Sequence, residues 1–280
     1  MVDVRQAIHF EQAEKMNTEE LRKHFLADSL FAPGEVRSVY THYDRMVLIG
    51  ISPTDAPLVL GADLAKAAGA DDFLDRRELA VINIGGGNAT VTADGESYLL
   101  ENEEALYIGK AATGVSFASA DPKNPAKLYA VSAGAHTKFP NRKVTRAEAS
   151  PQPMGSAETA NKRTINKYIH EGLMQTCQLV VGLTRFEAGS VWNTMPAHTH
   201  DRRMEAYLYF DMPEDRLVVH LMGRPQETRH IIIRNEQAVV SPPWSIHCGS
   251  GTGAYAFVWA MAGDNQSFSD MDHIKIQDLK

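Results

Sequence analysis

Short apolar or alternating runs, separated by glycine, proline and acidic turns, fill most of this chain, and they predict strands rather than helices. Leu79-Ala80-Val81-Ile82-Asn83-Ile84 runs into Gly85-Gly86-Gly87. After it come Ala89-Thr90-Val91-Thr92, the turn Ala93-Asp94-Gly95-Glu96, and Tyr98-Leu99-Leu100. The triple glycine has neither G-x-G-x-x-G spacing nor a helix behind it, so it reads as a strand turn and not as a phosphate cradle. Val36, Val39, Val47, Leu48 and Ile49 predict a hairpin between Glu35 and Ser52, ended by Pro53 and Pro57. One helical signal stands near the start: Asn17 as cap, Glu20 three residues on, and Leu21, Phe25 and Leu26 as the apolar stripe.

Lys138 to Lys162 is polar, rich in proline and without apolar period, which reads as a connection. Beyond it the strand pattern resumes in Leu179–Phe186, Leu217–Gly223, Thr228–Arg234, Gln237–Val240 and Tyr255–Met261. The expected fold is all-β: two antiparallel barrel or jelly-roll halves, residues 1–150 and 151–280, with a short N-terminal helix.

Charge and composition narrow the partners. The 28 basic and 35 acidic residues leave a net charge of −7, which argues against nucleic acid or an anionic membrane as the main partner. The first ten residues lack an apolar core behind a basic start, and no run of 18 apolar residues occurs, so the sequence reads as cytoplasmic. Cys177 and Cys248 are too few for a disulfide framework. Alternation turns Cys248 away from the face of its neighbour His247.

The chemistry gathers in Pro196-Ala197-His198-Thr199-His200-Asp201-Arg202-Arg203-Met204-Glu205. In a strand, side chains two residues apart share a face about 7 Å apart, so His198 and His200 can share one ion. The residues between His200 and Glu205 allow a turn, after which Glu205-Ala206-Tyr207-Leu208-Tyr209-Phe210 alternates as a strand should. His247 follows the Pro242-Pro243 turn and is the fourth ligand expected. Three imidazoles and a carboxylate suit zinc, iron, manganese or nickel, and they leave coordination positions open for polarising a carbonyl or activating oxygen.

H-x-H-x4-E followed some 40 residues later by a histidine resembles the two metal motifs of the cupin superfamily. Gly189, Pro213 and Trp244 depart from the usual glycine positions. The runs His220–His230, Arg234-Asn235-Glu236-Gln237, Ser241–His247 and Met261-Ala262-Gly263-Asp264-Asn265 are more specific. With Gly85–Gly87 and Arg163–His170, they resemble the 4-deoxy-L-threo-5-hexosulose-uronate ketol-isomerase family. That resemblance implies a bicupin with a metal-free first half and one zinc ion per chain, held by His198, His200, Glu205 and His247. It also implies a homo-oligomer, a hexamer, acting on a small anionic sugar acid. The implied reaction turns 5-dehydro-4-deoxy-D-glucuronate into 3-deoxy-D-glycero-2,5-hexodiulosonate. An iron-dependent cupin dioxygenase and a non-catalytic sugar-binding bicupin are the alternatives.

An aldose-to-ketose shift needs a proton acceptor and an electrophile. Zinc is the electrophile, and Glu205 is the residue nominated for the proton. Tyr207 is placed to bond the sugar, and a guanidinium or ammonium must meet its carboxylate. Arg163, Lys167 and Arg185 are the candidates, with Arg202 and Arg203 also near the motif.

Overall fold

The computed structural model describes Val2–Lys280. Two compact units divide the chain. One takes Ser29–Ala149, Tyr168–Val180 and the residues through Arg5, and the other takes Gln6–Asp28, Ser150–Lys167 and Val181–Lys280. The sequence boundary near 150 therefore separates most of each unit, but the segments 6–28 and 168–180 belong to the unit of the opposite half.

In the first unit a seven-stranded sheet runs in the order Val2–Arg5, Val36–Thr41, Val47–Ile51, Ala126–Gly134, Arg77–Gly86, Ala105–Ile108, Arg142–Val144. A four-stranded sheet adds Leu58–Val59, Ser116–Ser119, Ala89–Ala93 and Glu96–Leu100. Neighbours are antiparallel except Val2–Arg5, which lies parallel to Val36–Thr41. The period-2 alternation places Val47, Ile49, Leu79, Val81, Leu128 and Ala130 of the large sheet in one apolar core with Ala89, Val91, Ala93 and Phe117 of the small one. Alternation also turns Glu78 to the opposite face from Leu79, fully buried. There its Oε1 accepts from Gln178 N at 2.7 Å and Leu179 N at 2.8 Å. Its Oε2 accepts from Cys177 N and the Tyr107 hydroxyl, each at 2.7 Å. This carboxylate ties Cys177–Leu179 to the sheet of its unit. The glycine turn behaves as the sequence predicts: Gly86 has φ +63°, and a Cβ on Gly87 would meet Asn124 O at 1.8 Å, so positions 86 and 87 must be free of side chains.

In the second unit the large sheet runs Gln152–Met154, Arg163–Ile169, Val180–Phe186, Ala256–Gly263, Arg203–Phe210, Gln237–Ser241, Leu26–Ala27. Its companion is Trp192–Asn193, Cys248–Gly251, Val218–Arg224, Glu227–Ile233, and a small ribbon pairs His198–Thr199 with Asp272–His273. The N-terminal arm supplies the helix Thr18–Phe25 with the expected capping box: Glu20 N donates to Asn17 Oδ1 at 3.0 Å and Asn17 N to Glu20 Oε2 at 2.8 Å. Leu26 leaves the helical stripe and starts the strand that completes the sheet beside Gln237–Ser241.

Two short features escape the hydrophobic pattern. Within Lys138–Lys162, Arg142–Val144 and Gln152–Met154 form edge strands, where backbone pairing replaces an apolar alternation. The six-residue helix Ala62–Ala67 is too short for a 3.6-residue period to register. No helix among the described residues is long and apolar enough to cross a membrane.

Candidate metal centre and its cavity

Where the first unit fills its interior with aliphatic side chains, the second carries polar and aromatic ones on the equivalent alternation. Glu205 and Tyr207 come from Arg203–Phe210, and Phe257, Trp259 and Met261 from the adjacent Ala256–Gly263, with Glu205 opposite Met261 and Tyr207 opposite Trp259. They line a cavity of about 750 Å³. Trp259 lies close over Gly182, where a Cβ would come within 2.1 Å of its ring, so glycine at 182 permits this wall.

At one side of the cavity the four predicted ligands converge. His198 belongs to the two-residue ribbon, His200 to the turn after it, Glu205 to the following strand, and His247 to the end of the Pro242-Pro243 turn. All four are buried. His198 Nε2 lies 3.0 Å from both His200 Nε2 and His247 Nε2. Glu205 Oε2 is 2.9 Å from His200 Nε2 and 2.8 Å from His247 Nε2. Their distal nitrogens explain the orientation: His200 Nδ1 lies 2.7 Å from the Asp270 carbonyl and His247 Nδ1 3.3 Å from that of Ser245. A carbonyl only accepts, so each Nδ1 carries the proton and each Nε2 presents a lone pair. Lone pairs on converging nitrogens and a carboxylate repel one another unless a cation sits among them, so the donor set fits a metal ion.

Burial, reinforced by His247 and His200, pushes His198 down to about 2, which keeps it in the neutral, ligating form. Burial pushes the Glu205 carboxyl up, but the imidazoles of His247 and His200 packed against it outweigh that and hold it below the usual carboxylate range, so it stays an anionic ligand. Behind the centre, His220 is wholly buried, with Nδ1 2.8 Å from the hydroxyl of Tyr209. Burial holds that tyrosine protonated and pushes His220 down to about 3, with His247 adding to the effect. The unfolded chain, with an ordinary imidazole near 6.5, therefore binds a proton that the folded chain refuses between pH 6.5 and 3. Stability of the chelator-treated protein is expected to be full above that window and to fall as pH drops through it. His220→Asn should remove about one proton of this slope, or about 1.4 kcal/mol per pH unit, in urea titrations at several pH values. An unchanged slope would contradict the assignment.

The substrate-side candidates separate. Arg163 and Tyr207 line the cavity. Arg163 Nη1 donates to Asn161 O at 2.9 Å, and no carboxylate pairs with it among the described residues. Burial lowers its pKa while leaving it cationic. Burial raises Tyr207 well above the usual range, so its hydroxyl, 2.9 Å from Thr194 Oγ1, remains a donor. Lys167 does not line the cavity; its Nζ lies over the ring of Phe268, 5.2 Å from the centroid, and Phe268 does line it. Arg185 is turned away, because Thr184 faces the cavity and the next side chain on a strand faces the other way, where Arg185 pairs with Asp211 at 2.5 Å. Arg202 and Arg203 bind the C-terminal segment instead of the cavity. Cys248 packs with Ala197 and Ile246, and burial raises its thiol to about 12.

Sequence reasoning missed that C-terminal segment as part of the site. Phe268, Met271, His273, Ile274 and Lys275 all line the cavity, and the Asp270 carbonyl orients His200. The only signal available was the pairing potential of Asp272-His273 with His198-Thr199, too short to be distinctive.

Fold and site together define a bicupin with a buried three-histidine, one-glutamate group able to hold a metal ion. The chain belongs to the KduI/IolB family, whose model matches residues 33–276. The 4-deoxy-L-threo-5-hexosulose-uronate ketol-isomerase of Dickeya dadantii (strain 3937) is 52% identical over 279 residues, covering 100% of both chains. The protein of the same name from Yersinia pseudotuberculosis serotype O:1b (strain IP 31758) shows the same identity and coverage. Among solved structures, an IolB-like protein from Salmonella typhimurium LT2 aligns with TM-score 0.72 at 14% identity, over 90% of this chain and 97% of the other. Oxalate decarboxylase from Lactobacillus farciminis aligns with TM-score 0.60 at 12% identity over 87% of each chain. At those identities the last two speak for the fold.

Proposed function

We propose that this chain is an aldose–ketose isomerase that converts 5-dehydro-4-deoxy-D-glucuronate into 3-deoxy-D-glycero-2,5-hexodiulosonate in uronate catabolism. The full-length similarity to the named ketol-isomerases carries this reading, and the converging ligand group gives it a centre. The metal is assigned as zinc, which three neutral imidazoles and one carboxylate suit. A bound zinc supplies positive charge beside a carbonyl and its neighbouring hydroxyl.

The chain's own residues do the rest. Tyr207 keeps its proton and offers a hydrogen bond to a sugar oxygen. Arg163, a half-buried cation with no carboxylate of its own among the described residues, takes the carboxylate of the sugar acid. Phe257, Trp259 and Met261 wall the cavity with apolar surface and exclude water from the proton transfer. Of the two roles considered for Glu205, ligand and proton acceptor, its position between His200 and His247 favours the first. Lys167 acts indirectly, by bracing Phe268.

Purified protein incubated anaerobically with the unsaturated-uronate breakdown product should form the ketose, followed by NMR, and a chelator should stop it. Turnover that required oxygen would place the chain with the dioxygenases instead, and no turnover would leave a sugar-binding protein. Arg163→Ala is expected to raise KM for the acid about tenfold or more with zinc content unchanged, and Arg163→Lys to restore part of it. An unaltered KM would move the carboxylate elsewhere. The assembly expected from the resemblance is a homohexamer, and the compartment expected from the sequence is the cytoplasm.

A further inference from the structure

The segment after Gly263 does more than wall the cavity. It is fastened to the two arginines that follow the H-x-H pair. Arg202 grips the Asp270 carboxylate with both edges of its guanidinium, Nε to Oδ2 at 3.0 Å and Nη2 to Oδ1 at 2.6 Å, and reaches Asp272 Oδ2 at 2.8 Å. Asn265 Nδ2 donates to Asp270 Oδ2 at 2.6 Å. The buried Arg203 donates to Ser267 O at 2.6 Å and to Asp270 O at 3.0 Å. Backbone bonds extend the same seam, from Asp264 N to Arg202 O at 2.9 Å and from Ile274 N to Ala197 O at 2.9 Å.

The Asp270 carbonyl is the point where this seam meets the metal centre, 2.7 Å from His200 Nδ1. A histidine bound through Nε2 needs its other nitrogen held by an acceptor, or the ring can turn or change tautomer. We propose that Arg202 and Asp270 are positioning residues for the metal centre: by gripping the Asp270 side chain, Arg202 holds the Asp270 carbonyl on His200 Nδ1 and so aims the Nε2 lone pair at the ion. The inference rests on the ligand group assigned above. It separates two effects. The Arg202 side chain is 38% exposed, and an ion pair at such a surface adds little to folding. Its consequence lies in how the ring is held.

The test uses the full chain loaded with zinc alone and chased with a chromogenic chelator. Asp270→Ala should release zinc about tenfold faster than the unaltered protein, and Arg202→Lys, which keeps the charge but loses the two-pronged grip, by a smaller factor. Urea midpoints of the metal-free proteins should stay close together. Equal release rates overturn the proposal, as does faster release that only mirrors a matching loss of metal-free stability. If Asp270→Ala does not fold, Arg202→Lys and Asp270→Asn carry the same comparison. An unaltered protein that retains no zinc would sink the assignment of the centre itself. A zinc-retaining protein whose variants release no faster would sink only the positioning role.

Discussion

His198→Ala is expected to lower turnover by about a thousandfold, equivalent to about 4 kcal/mol of transition-state stabilisation, and to leave the purified protein short of zinc. His198 is the ligand whose Nε2 lies 3.0 Å from both other imidazole nitrogens, so its removal opens the middle of the group. Binding of the sugar acid should persist, since Arg163 and Tyr207 stand on other strands. The same variant makes a second, opposite statement about stability. Without metal, the unaltered protein buries converging acceptors that repel, so metal-free His198→Ala should be no less stable than the metal-free parent. Zinc should stabilise the parent far more than the variant. Kinetics, metal content and urea unfolding with and without chelator read all three quantities. A fully active, zinc-free variant would remove the metal from the mechanism.

Glu78→Ala should be the most destabilising single change in the first unit, by about 3–5 kcal/mol in urea unfolding. The carboxylate is fully buried and accepts from three backbone N–H groups of Cys177–Leu179 and from Tyr107. Burial and the Glu78 charge keep the Tyr107 hydroxyl protonated, so it can only be satisfied as a donor by an acceptor in that position. Alanine leaves all four donors without a partner. Glu78→Gln retains one acceptor oxygen but turns an NH2 group toward donors, and should lose roughly half as much. Activity per folded molecule should be unchanged, because the ligand group lies in the other unit. A loss below about 1 kcal/mol would mean that Cys177–Leu179 is held by other contacts.

Most of the candidate metal site could be read from the chain itself, because its ligands obey local rules. His198 and His200 are two residues apart, Glu205 leads an alternating strand, and His247 ends a proline turn. The capping box at Asn17 and Glu20 is equally local and forms as written. What could not be read involves either backbone atoms or the choice of face. The Asp270 carbonyl has no side-chain signature, and nothing near Arg202 announces a partner 68 residues away. Arg163 and Arg185 look alike as strand residues in the sequence; only the pairing of their strands turns one into the cavity and the other to Asp211.

The sequence alone determined that this is an all-β chain with a histidine-rich centre in its second half. The reason is that side-chain alternation and turn chemistry act over a few residues and leave a periodic trace. Tertiary structure alone decided that Gln6–Asp28 joins the second unit and Tyr168–Val180 the first, which cation faces the cavity, and what holds His200 in its tautomer. Those outcomes depend on free strand edges and backbone acceptors meeting across long stretches of chain. Such groups are the same at every residue, so no pattern of side chains records where they meet.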